Sequence, residues 1–393
     1  MKIAMLGLRA IGQFESADKN ETGGRSSLSL DLFSGVERAV EEISVRLAAR
    51  GHEVSVVCRG RYNLGGENLY RGVRLKNLPA IYTKHLEAIS HTALGAVEAM
   101  RGYDIVHFHA TGPCLFSFLP RCSGRGVVAT VHGLDWQREK WKGFAKMVLK
   151  AGAWASGRFP HRTIVVSRVL RQYYADAYGR PTTYIPNGIA PVVKKPLDRL
   201  GRFGVRPDHY ILFLSRLVPE KGCHLLIRAF QKVQTDMKLL MVGGGSYTAN
   251  YVESLRKMAA SDPRIIFAGA LYGDDKAEAF SNARFMVLPS TLEGMPIVLL
   301  EAMNYECPVL CSNIPANLDV VEAGGGQSSY AQTFECGSEN DLVQQLKSMV
   351  ESDFSLKETA ARARQYVARE YSWDRVTDLT EEVYFSVRNA LNV

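Results

Sequence analysis

Two hydrophobic patterns alternate along the chain. Short apolar runs are typical of buried strands, and the segments between them place apolar residues at the spacing of a helix face. The runs predict strands at Lys2–Leu8, Glu53–Cys58, Asp104–Phe108, Val127–Val131, Thr163–Val166, Thr183–Ile185, Tyr210–Leu214, Lys238–Val242, Arg264–Phe267, Phe285–Leu288 and Val309–Cys311. The intervening segments predict helices at Val36–Arg50, Lys84–Met100, Glu139–Ala155, Arg168–Tyr178, Cys223–Val233, Ala249–Ser261, Asp274–Asn282, Pro296–Tyr305, Glu339–Glu351, Leu356–Tyr371 and Trp373–Leu391. Because alternating strands and helices form parallel sheets covered on both faces, the pattern predicts an α/β protein.

The length and one segment near the middle of the chain predict two domains. At 393 residues the chain is long for one domain and sufficient for two. The segment from Ala190 to Pro207 is rich in proline and basic residues, which is typical of a linker between domains.

Composition narrows the class of partner. The formal net charge of +8 favours an anionic partner, such as a nucleotide, a lipid headgroup or a nucleic acid. No nucleic-acid-binding motif accompanies the charge, so nucleic acid is not an expected partner. The seven cysteines show no paired spacing, which argues against a disulfide framework. The sequence shows no signal peptide and no apolar run of roughly 18 residues, so a cytoplasmic location is expected.

The stretch from Glu293 to Glu301 holds two carboxylates eight positions apart, after the predicted strand Phe285–Leu288. Pro296 suits the first position of a helix, where its missing N–H costs nothing. The N–H groups at a helix start favour an anion such as a phosphate, and Gly294 lets a ligand approach the backbone. A carboxylate accepts two hydrogen bonds, which suits a vicinal diol. One solvated glutamate and one helix-surface glutamate are the alternative interpretation.

Two cations and a glycine run follow successive predicted strands of the second half. Arg216 and Lys221 can clamp a diphosphate, because Arg offers a planar fork and Lys a point charge. Solvated surface charge is the alternative. Gly243 and Gly244 either leave room for a ligand or turn the chain. They are not part of a GxGxxG fingerprint, so a dinucleotide cofactor is not expected.

Four segments together resemble one enzyme family. The Glu293–Glu301 string resembles the E-x7-E motif of the retaining glycosyltransferases of family 4, which have the GT-B fold. The Ser215–Gly222 string resembles the family's Gly-Arg-Leu-x-x-x-Lys-Gly, with Ser215 in place of the first glycine. Gly35-Val36-Glu37 matches the start of the family's first helix, and Asn187-Gly188 matches its hinge.

This resemblance implies two Rossmann-like, doubly wound parallel-sheet domains that face a cleft. Residues 1–190 would form an N-terminal acceptor-side domain, and residues 191–372 would form a C-terminal domain that binds the nucleotide sugar. A final helix, within residues 373–393, would cross back to the first domain. The resemblance covers nearly the whole chain except about residues 14–33, where relatives have a short glycine-rich turn. This insertion is interpreted as either a flexible lid or a disordered segment.

The resemblance also implies a role for each matching residue. Glu293 would hold the sugar hydroxyls, Glu301 would bind the ribose diol, and His132 would orient the sugar. Arg216 and Lys221 would stabilise the diphosphate together with backbone amides. The remaining donor-binding residues would be Gly294, Met295, Pro296, Ile297, Val298, Gly243, Gly244, Leu271, Gly35 and Asn187. A buried histidine bonded to the backbone is the alternative for His132 and for His109.

The segment around the predicted helix Glu139–Ala155 has two interpretations. Three lysines recur every four residues on one face, namely Lys142, Lys146 and Lys150. An apolar stripe lies beside them, made by Trp141, Phe144, Ala145, Val148 and Leu149. A basic amphipathic helix can lie in an anionic membrane surface. An ordinary domain helix with its apolar side in the core is the alternative.

The resemblance implies a retaining hexosyl- or glycosyltransferase. It would move a sugar from a nucleotide-diphosphate sugar to a glycan or lipid-linked acceptor, in cell-surface polysaccharide or glycolipid synthesis. Such an enzyme would be cytoplasmic, with or without peripheral membrane association. The implied mechanism needs no protein base, and the cation clamp makes a metal unnecessary, so no cofactor is expected. A nucleotide-sugar epimerase of similar fold and a non-enzymatic nucleotide-sugar sensor are the alternatives.

Overall fold

The structure is a computed structural model that describes residues 1–12, 35–63, 68–83, 86–137, 143–244, 249–323, 328–352 and 354–391. The chain divides into two compact units. The first unit comprises Met1–Gly188 and Trp373–Val393, and the second comprises Ile189–Ser372. The insertion at 14–33, Trp141 and Lys142 lie outside the described residues.

The first unit is built on an eight-stranded sheet with the strand order β3-β4-β2-β1-β5-β6-β7-β8. The strands are β1 Lys2–Leu6, β2 Glu53–Arg59, β3 Leu69–Tyr70, β4 Val73–Leu78, β5 Ile105–His109, β6 Gly126–Val131, β7 Arg162–Val165 and β8 Thr183–Tyr184. Neighbours pair in parallel, except that β3 and β4 form an antiparallel pair at one edge. Every residue of β5 and β6 is buried, as expected for central parallel strands covered on both faces.

Helices cover this sheet, and local chemistry fixes where they begin and end. They are α1 Gly35–Ala49, α2 Glu87–Glu98, α3 Phe118–Cys122, α4 Gly143–Arg158, α5 Arg168–Tyr178 and, from the end of the chain, α13 Trp373–Leu391. In α5, the Ser167 hydroxyl accepts a hydrogen bond from the Leu170 N–H, which caps the start of the helix. Gly179 ends α5 in the left-handed region, at φ 58°.

The second unit is built on a six-stranded parallel sheet with the order β11-β10-β9-β12-β13-β16. Its strands are β9 Tyr210–Leu214, β10 Lys238–Val242, β11 Ile265–Gly269, β12 Phe285–Leu288, β13 Val309–Ser312 and β16 Gln332–Phe334, and a separate hairpin is formed by β14 Glu322–Ala323 and β15 Ser328–Ser329. Its helices are α6 Cys223–Gln231, α7 Ala249–Ala259, α8 Gly273–Asn282, α9 Ile297–Asn304, α10 Pro315–Val321, α11 Glu339–Glu351 and α12 Phe354–Glu370. Its core packs Phe213 and Phe285 of the sheet against Phe230 of α6.

These two parallel sheets confirm the predicted α/β class with two doubly wound units. The predicted elements differ from the observed ones by a few residues at their ends, which is the usual uncertainty of such boundaries. The prediction missed β4 because Val73–Leu78 is partly exposed, so its apolar run is interrupted. It also placed Pro296 inside α9, whereas α9 begins at Ile297 and Pro296 is the residue that precedes the helix.

Among the residues that the structure describes, no helix combines the length and the hydropathy needed to cross a bilayer.

The last helix, α13, is part of the hydrogen-bonded core of the first unit. The Tyr384 hydroxyl lies 2.6 Å from Nδ1 of His107, and both residues are fully buried. On the other side of this histidine ring, Nε2 lies 2.7 Å from the Thr130 hydroxyl. Both ring nitrogens of a buried histidine therefore have partners, one of which comes from α13.

We expect Tyr384→Phe to destabilise the first unit by about 1–3 kcal/mol, because it leaves a buried ring nitrogen of His107 without a partner. For a unit of this size the unfolding temperature should fall by about 2–4 °C per kcal/mol, as measured by calorimetry. Phe385→Leu, at the exposed neighbouring position, is the control and should have little effect. An unchanged unfolding temperature in Tyr384→Phe would show that this hydrogen bond does not stabilise the unit.

Candidate functional site

The parallel sheet of the second unit gathers most of the predicted site residues at one edge. Its strands all point the same way, so the loops that follow them emerge together at their carboxyl ends. Arg216 and Lys221 follow β9, Gly243 and Gly244 follow β10, Leu271 follows β11, and Glu293 follows β12. This edge is where ligands of open parallel sheets bind.

Two glycines let the backbones of these loops touch. Gly243 has φ 152°, and a Cβ there would lie 1.8 Å from the carbonyl oxygen of Ser215. Gly222 has φ 67°, and its Cβ would lie 2.1 Å from the carbonyl oxygen of Pro289. No larger residue fits either position without moving the backbone, so glycine ties the β9 loop to the loops after β10 and β12.

Glu293 and Lys221 form a nearly buried ion pair. The Lys221 Nζ lies 2.5 Å from Oε1 of Glu293, and the two side chains are 11% and 8% exposed. The hydroxyl of the buried Ser290 donates a second hydrogen bond, of 2.7 Å, to the same oxygen. An ammonium carries three donors, so Lys221 can hold Glu293 and still donate to a phosphate. The sequence predicted both charged residues but not Ser290.

The second carboxylate of the motif also has a cation beside it. Lys276, near the start of α8, donates a 2.6 Å hydrogen bond to Oε1 of Glu301 on α9. Both side chains are about a third exposed, so solvent screens this pair. Phe280 of α8 stacks on Tyr305, the residue that follows α9, with ring centroids 5.4 Å apart. No pattern in the sequence indicates Lys276, because its partner lies on a different helix.

The start of α9 presents backbone rather than side-chain chemistry. The helix begins at Ile297, and no side chain caps it. Met295 and Pro296, which precede the helix, are buried, whereas Ile297 and Val298 are partly exposed. A helix start carries N–H groups without intrahelical partners and a partial positive charge, so this position suits an anion.

The other predicted residues of this edge differ in exposure. Arg216 and Gly244 are exposed, Leu271 is buried and Gly294 is partly exposed. The edge therefore combines an accessible guanidinium with a largely buried Glu293–Lys221 pair.

His132 lies in the first unit, directly after β6, in a row of three histidine rings. Its Nε2 lies 3.3 Å from Nδ1 of His109, and the His109 ring centroid is 4.1 Å from that of His107. Burial lowers the pKa of His132 to about 4 and that of His107 to about 3. Burial, with the neighbouring histidines, also holds the pKa of His109 well below its usual range. All three rings are therefore neutral at pH 7, and His109 bonds a histidine rather than the expected backbone group.

Two further predicted residues also lie in the first unit. Asn187 is buried near the end of that unit's first segment, and Gly35 is the exposed first residue of α1. Within the described ranges, no cluster of three His, Cys, Asp or Glu side chains could hold a metal ion.

The helix α4, which contains Lys146 and Lys150, packs against its unit through small residues. Its buried positions are Gly152, Ala153, Ala155, Ser156 and Gly157. Three of its large apolar side chains are instead exposed: Phe144 by 71%, Met147 by 60% and Trp154 by 50%. Lys146 and Lys150 are exposed as well. Phe144 of the predicted apolar stripe therefore lies outside the core, whereas Ala145, Val148 and Leu149 of the same stripe are partly buried.

Two family models match the chain, one for each half. Residues 33–192 match "Glycosyltransferase Family 4", and residues 204–369 match "Glycosyl transferases group 1". An uncharacterized glycosyltransferase of Methanocaldococcus jannaschii is 26% identical over 378 residues, covering 90% of this chain and 94% of its own. A phosphatidyl-myo-inositol mannosyltransferase of Mycobacterium tuberculosis (strain H37Rv) is 27% identical over 379 residues, covering 91% of this chain and 95% of its own.

A solved structure shows the same fold. The crystal structure of HepE from Anabaena, in complex with UDP and glucose, has a TM-score of 0.76 and covers 98% of this chain and 100% of its own. At 19% identity this likeness shows the fold alone. With the two Rossmann-like units and the family matches, it confirms the predicted GT-B fold.

The buried histidines predict a pH dependence of the first unit's stability. Because the pKa of His132 is about 4 in the folded protein and near 6.5 in an unfolded chain, unfolding takes up a proton between these values. Stability should therefore fall as the pH falls from about 6.5 towards 4, by up to about 1.4 kcal/mol per pH unit for each such histidine. We expect calorimetry to show a smaller fall between pH 7 and pH 5 for His132→Asn than for the wild type.

His107, His109 and all carboxylates are common to both proteins, so the difference between the two slopes reports His132 together with its effect on the pKa of the two neighbouring histidines. Equal slopes would contradict a lowered pKa for His132.

Proposed function

Because the chain belongs to the family 4 glycosyltransferases, we propose that it is a retaining hexosyltransferase that uses a nucleotide-diphosphate sugar. The acceptor would be a glycan or a lipid-linked glycan precursor, in the synthesis of a cell-surface polysaccharide or glycolipid. The observation that carries the proposal is the placement of Lys221, Glu293 and the start of α9 at one sheet edge. This arrangement offers a carboxylate, a cation and free amide donors to one ligand.

Each part of the donor has a matching group at this edge. The two oxygens of a ribose diol suit the carboxylate of Glu301, and the sugar hydroxyls suit Glu293. The diphosphate suits Arg216, the remaining donors of Lys221 and the backbone N–H groups of Ile297 and Val298, approached beside Gly294. The nucleobase would lie near Gly243, Gly244 and Leu271. HepE of Anabaena, which was crystallised with UDP and glucose, supports a uridine nucleotide as the first donor to test.

The proposed reaction breaks the bond between the sugar's anomeric carbon and the diphosphate oxygen. The acceptor hydroxyl forms the new bond on the same face of the sugar, and its proton passes to the leaving diphosphate. The protein's contribution is electrostatic: Arg216, Lys221 and the helix start stabilise the negative charge that grows on the diphosphate. No protein base and no metal take part in this proposal. His132, Gly35 and Asn187 of the first unit would contribute to donor binding, with His132 neutral and so able to donate or accept.

The exposed face of α4 supports a membrane partner for the acceptor. It presents Phe144, Met147 and Trp154 next to the cations Lys146 and Lys150. Apolar side chains that enter the interface and lysines that meet anionic headgroups together bind a helix to a bilayer surface. The similarity to the phosphatidyl-myo-inositol mannosyltransferase of M. tuberculosis supports a lipid as the acceptor to propose. We propose that α4 makes peripheral contact with an anionic membrane.

Glu293→Gln should lower turnover by about a hundredfold or more, because the amide cannot pair with Lys221 and accepts fewer hydrogen bonds from the sugar. The assay measures release of UDP, GDP or ADP from the corresponding labelled sugars, with and without acceptor. The donor is first identified by the rise in unfolding temperature that a ligand of the folded state causes. Glu253→Gln, which changes an exposed glutamate on α7, is the matched control and should keep full activity.

Arg216→Ala provides the contrast, since loss of a phosphate contact should mainly weaken donor binding. Full activity in both site variants would overturn the site assignment. Release of nucleotide that does not depend on acceptor, or conversion of one free nucleotide sugar to another, would contradict transfer.

Charge reversal at Lys146 and Lys150 should weaken membrane binding at least tenfold, since each basic residue near an anionic surface contributes about 1 kcal/mol. The measurement is co-sedimentation with vesicles of phosphatidylglycerol and phosphatidylcholine. We expect the wild type to sediment and the double Lys→Glu variant to bind at least tenfold more weakly. Lys257→Glu, at an exposed lysine of the second unit, is the control. A wild type that stays in the supernatant would remove the membrane proposal and leave glycosyl transfer intact.

A further inference from the structure

We infer that Ser290 is a positioning residue for the proposed transfer: its hydroxyl holds one oxygen of Glu293, so that the other oxygen is left for the donor sugar. The inference rests on the proposed function, in which Glu293 accepts hydrogen bonds from sugar hydroxyls. Nothing in the sequence motif distinguishes the two carboxylate oxygens, but the structure does.

The two donors around Glu293 converge on a single oxygen. The Lys221 ammonium and the Ser290 hydroxyl both donate to Oε1, over 2.5 and 2.7 Å. Within the part of the chain that the structure describes, Oε2 accepts no hydrogen bond. The side chain is 8% exposed, and Oε2 is not a fully buried atom, so this oxygen is open to water or to a ligand.

The direction of these bonds fixes what Glu293 can do. A serine hydroxyl has one hydrogen, and here that hydrogen is given to Oε1. Lysine can only donate. Both neighbours therefore require Glu293 to act as an acceptor, and a ligand at Oε2 must be a hydrogen-bond donor such as a sugar hydroxyl. A bare nucleoside diphosphate has ribose hydroxyls, which are assigned to Glu301, but it lacks the hydroxyls of the transferred sugar.

A buried row of hydrogen bonds holds Ser290 in turn. The Ser312 hydroxyl, at the end of β13, donates a 2.5 Å bond to the Ser290 carbonyl. The Asn317 side-chain amide, on α10, donates to the Ser312 carbonyl at 2.9 Å and to the Ser312 hydroxyl at 3.0 Å. Ser290, Ser312 and Asn317 are each fully buried. The loop that carries Glu293 cannot shift without leaving these polar groups unpaired, so the row fixes its position.

These hydrogen bonds give a structural role to Ser290, which the sequence alone does not distinguish from an ordinary turn residue. Pro289-Ser290 ends β12, and a serine at that position would satisfy an ordinary strand-to-loop turn. Because Ser290 is completely buried and bonded to the ion-paired Glu293, it also fixes the position of that carboxylate. Asn317 and Ser312 act through Ser290, so their effect on the carboxylate should be smaller than that of Ser290 itself.

The test compares Ser290→Ala with the wild type in two measurements. The first is the affinity for UDP, GDP and ADP, each alone and as its glucose or mannose derivative, by isothermal titration calorimetry. The second is kcat and KM for transfer. We expect the nucleotide sugar that the wild type uses to bind Ser290→Ala about tenfold more weakly and kcat/KM to fall 10- to 100-fold. Affinity for the matching nucleoside diphosphate should change less than twofold, which also shows that the site is folded.

Two further variants keep the inference falsifiable. Ser312→Ala removes the next bond of the row and should show the same pattern at smaller size. Thr291→Ala changes the exposed neighbour and should match the wild type. Equal kcat/KM in Ser290→Ala and the wild type would overturn the positioning role. A parallel loss of nucleoside diphosphate binding would also overturn it, because the serine would then be merely structural.

If no nucleotide sugar raises the unfolding temperature of the wild type or binds to it, the proposed function fails rather than this inference alone. A wild type that transfers sugar while Ser290→Ala transfers equally well defeats only the positioning role.

Discussion

One constraint organises the second unit: its six main strands run parallel, so every strand-to-helix loop emerges at the same edge. Lys221 and Glu293 are 72 positions apart in the chain, yet they meet because β9 and β12 are neighbours in the sheet. The glycines at 222 and 243 then let the loop backbones come within contact of one another. The charged side chains are therefore placed by rigid strands and close backbone contacts, which limits how far each can move from its partner.

Much of this arrangement could be predicted from the sequence, and the reason is the periodicity of the strands. Phe285–Leu288 is an apolar run with clear ends, and the structure gives the same bounds. The residues that carry charge were also evident, because Glu293, Glu301, Arg216 and Lys221 lie in strings that resemble a known family. Lys276 could not be found this way, since its partner Glu301 lies on another helix. Ser290 lies only three positions before Glu293, but its complete burial and its bond to Glu293 have no signal in the sequence. The exposure of Phe144 could not be predicted for a related reason. Helical periodicity shows that a helix has two faces, but it does not show which face is buried.

In helix α4, the size of the side chains decides which face is buried. Its buried face contains glycine, alanine and serine, and a Cβ at Gly152 would lie only 2.5 Å from the carbonyl oxygen of Thr111. Such close packing gives many van der Waals contacts without large side chains. Large apolar residues such as Phe144 are then left on the outer face, where contact with water alone does not stabilise the protein. Exposed apolar groups beside cations suit a partner that is both apolar and anionic, which is the composition of a lipid interface.

The bond between His107 and Tyr384 joins two parts of the chain that are made at very different times. β5 leaves the ribosome early, whereas α13 follows only after the rest of the first segment and the whole second unit, and Tyr384 is 277 positions after His107. At typical rates of synthesis this delay is about 14 to 55 seconds. Throughout that interval His107 would lack its phenol partner, and the surface of β6 that α13 covers would be open to solvent or to a chaperone. Truncations that stop after residue 188 should therefore yield an incomplete first unit, however well its eight strands pair.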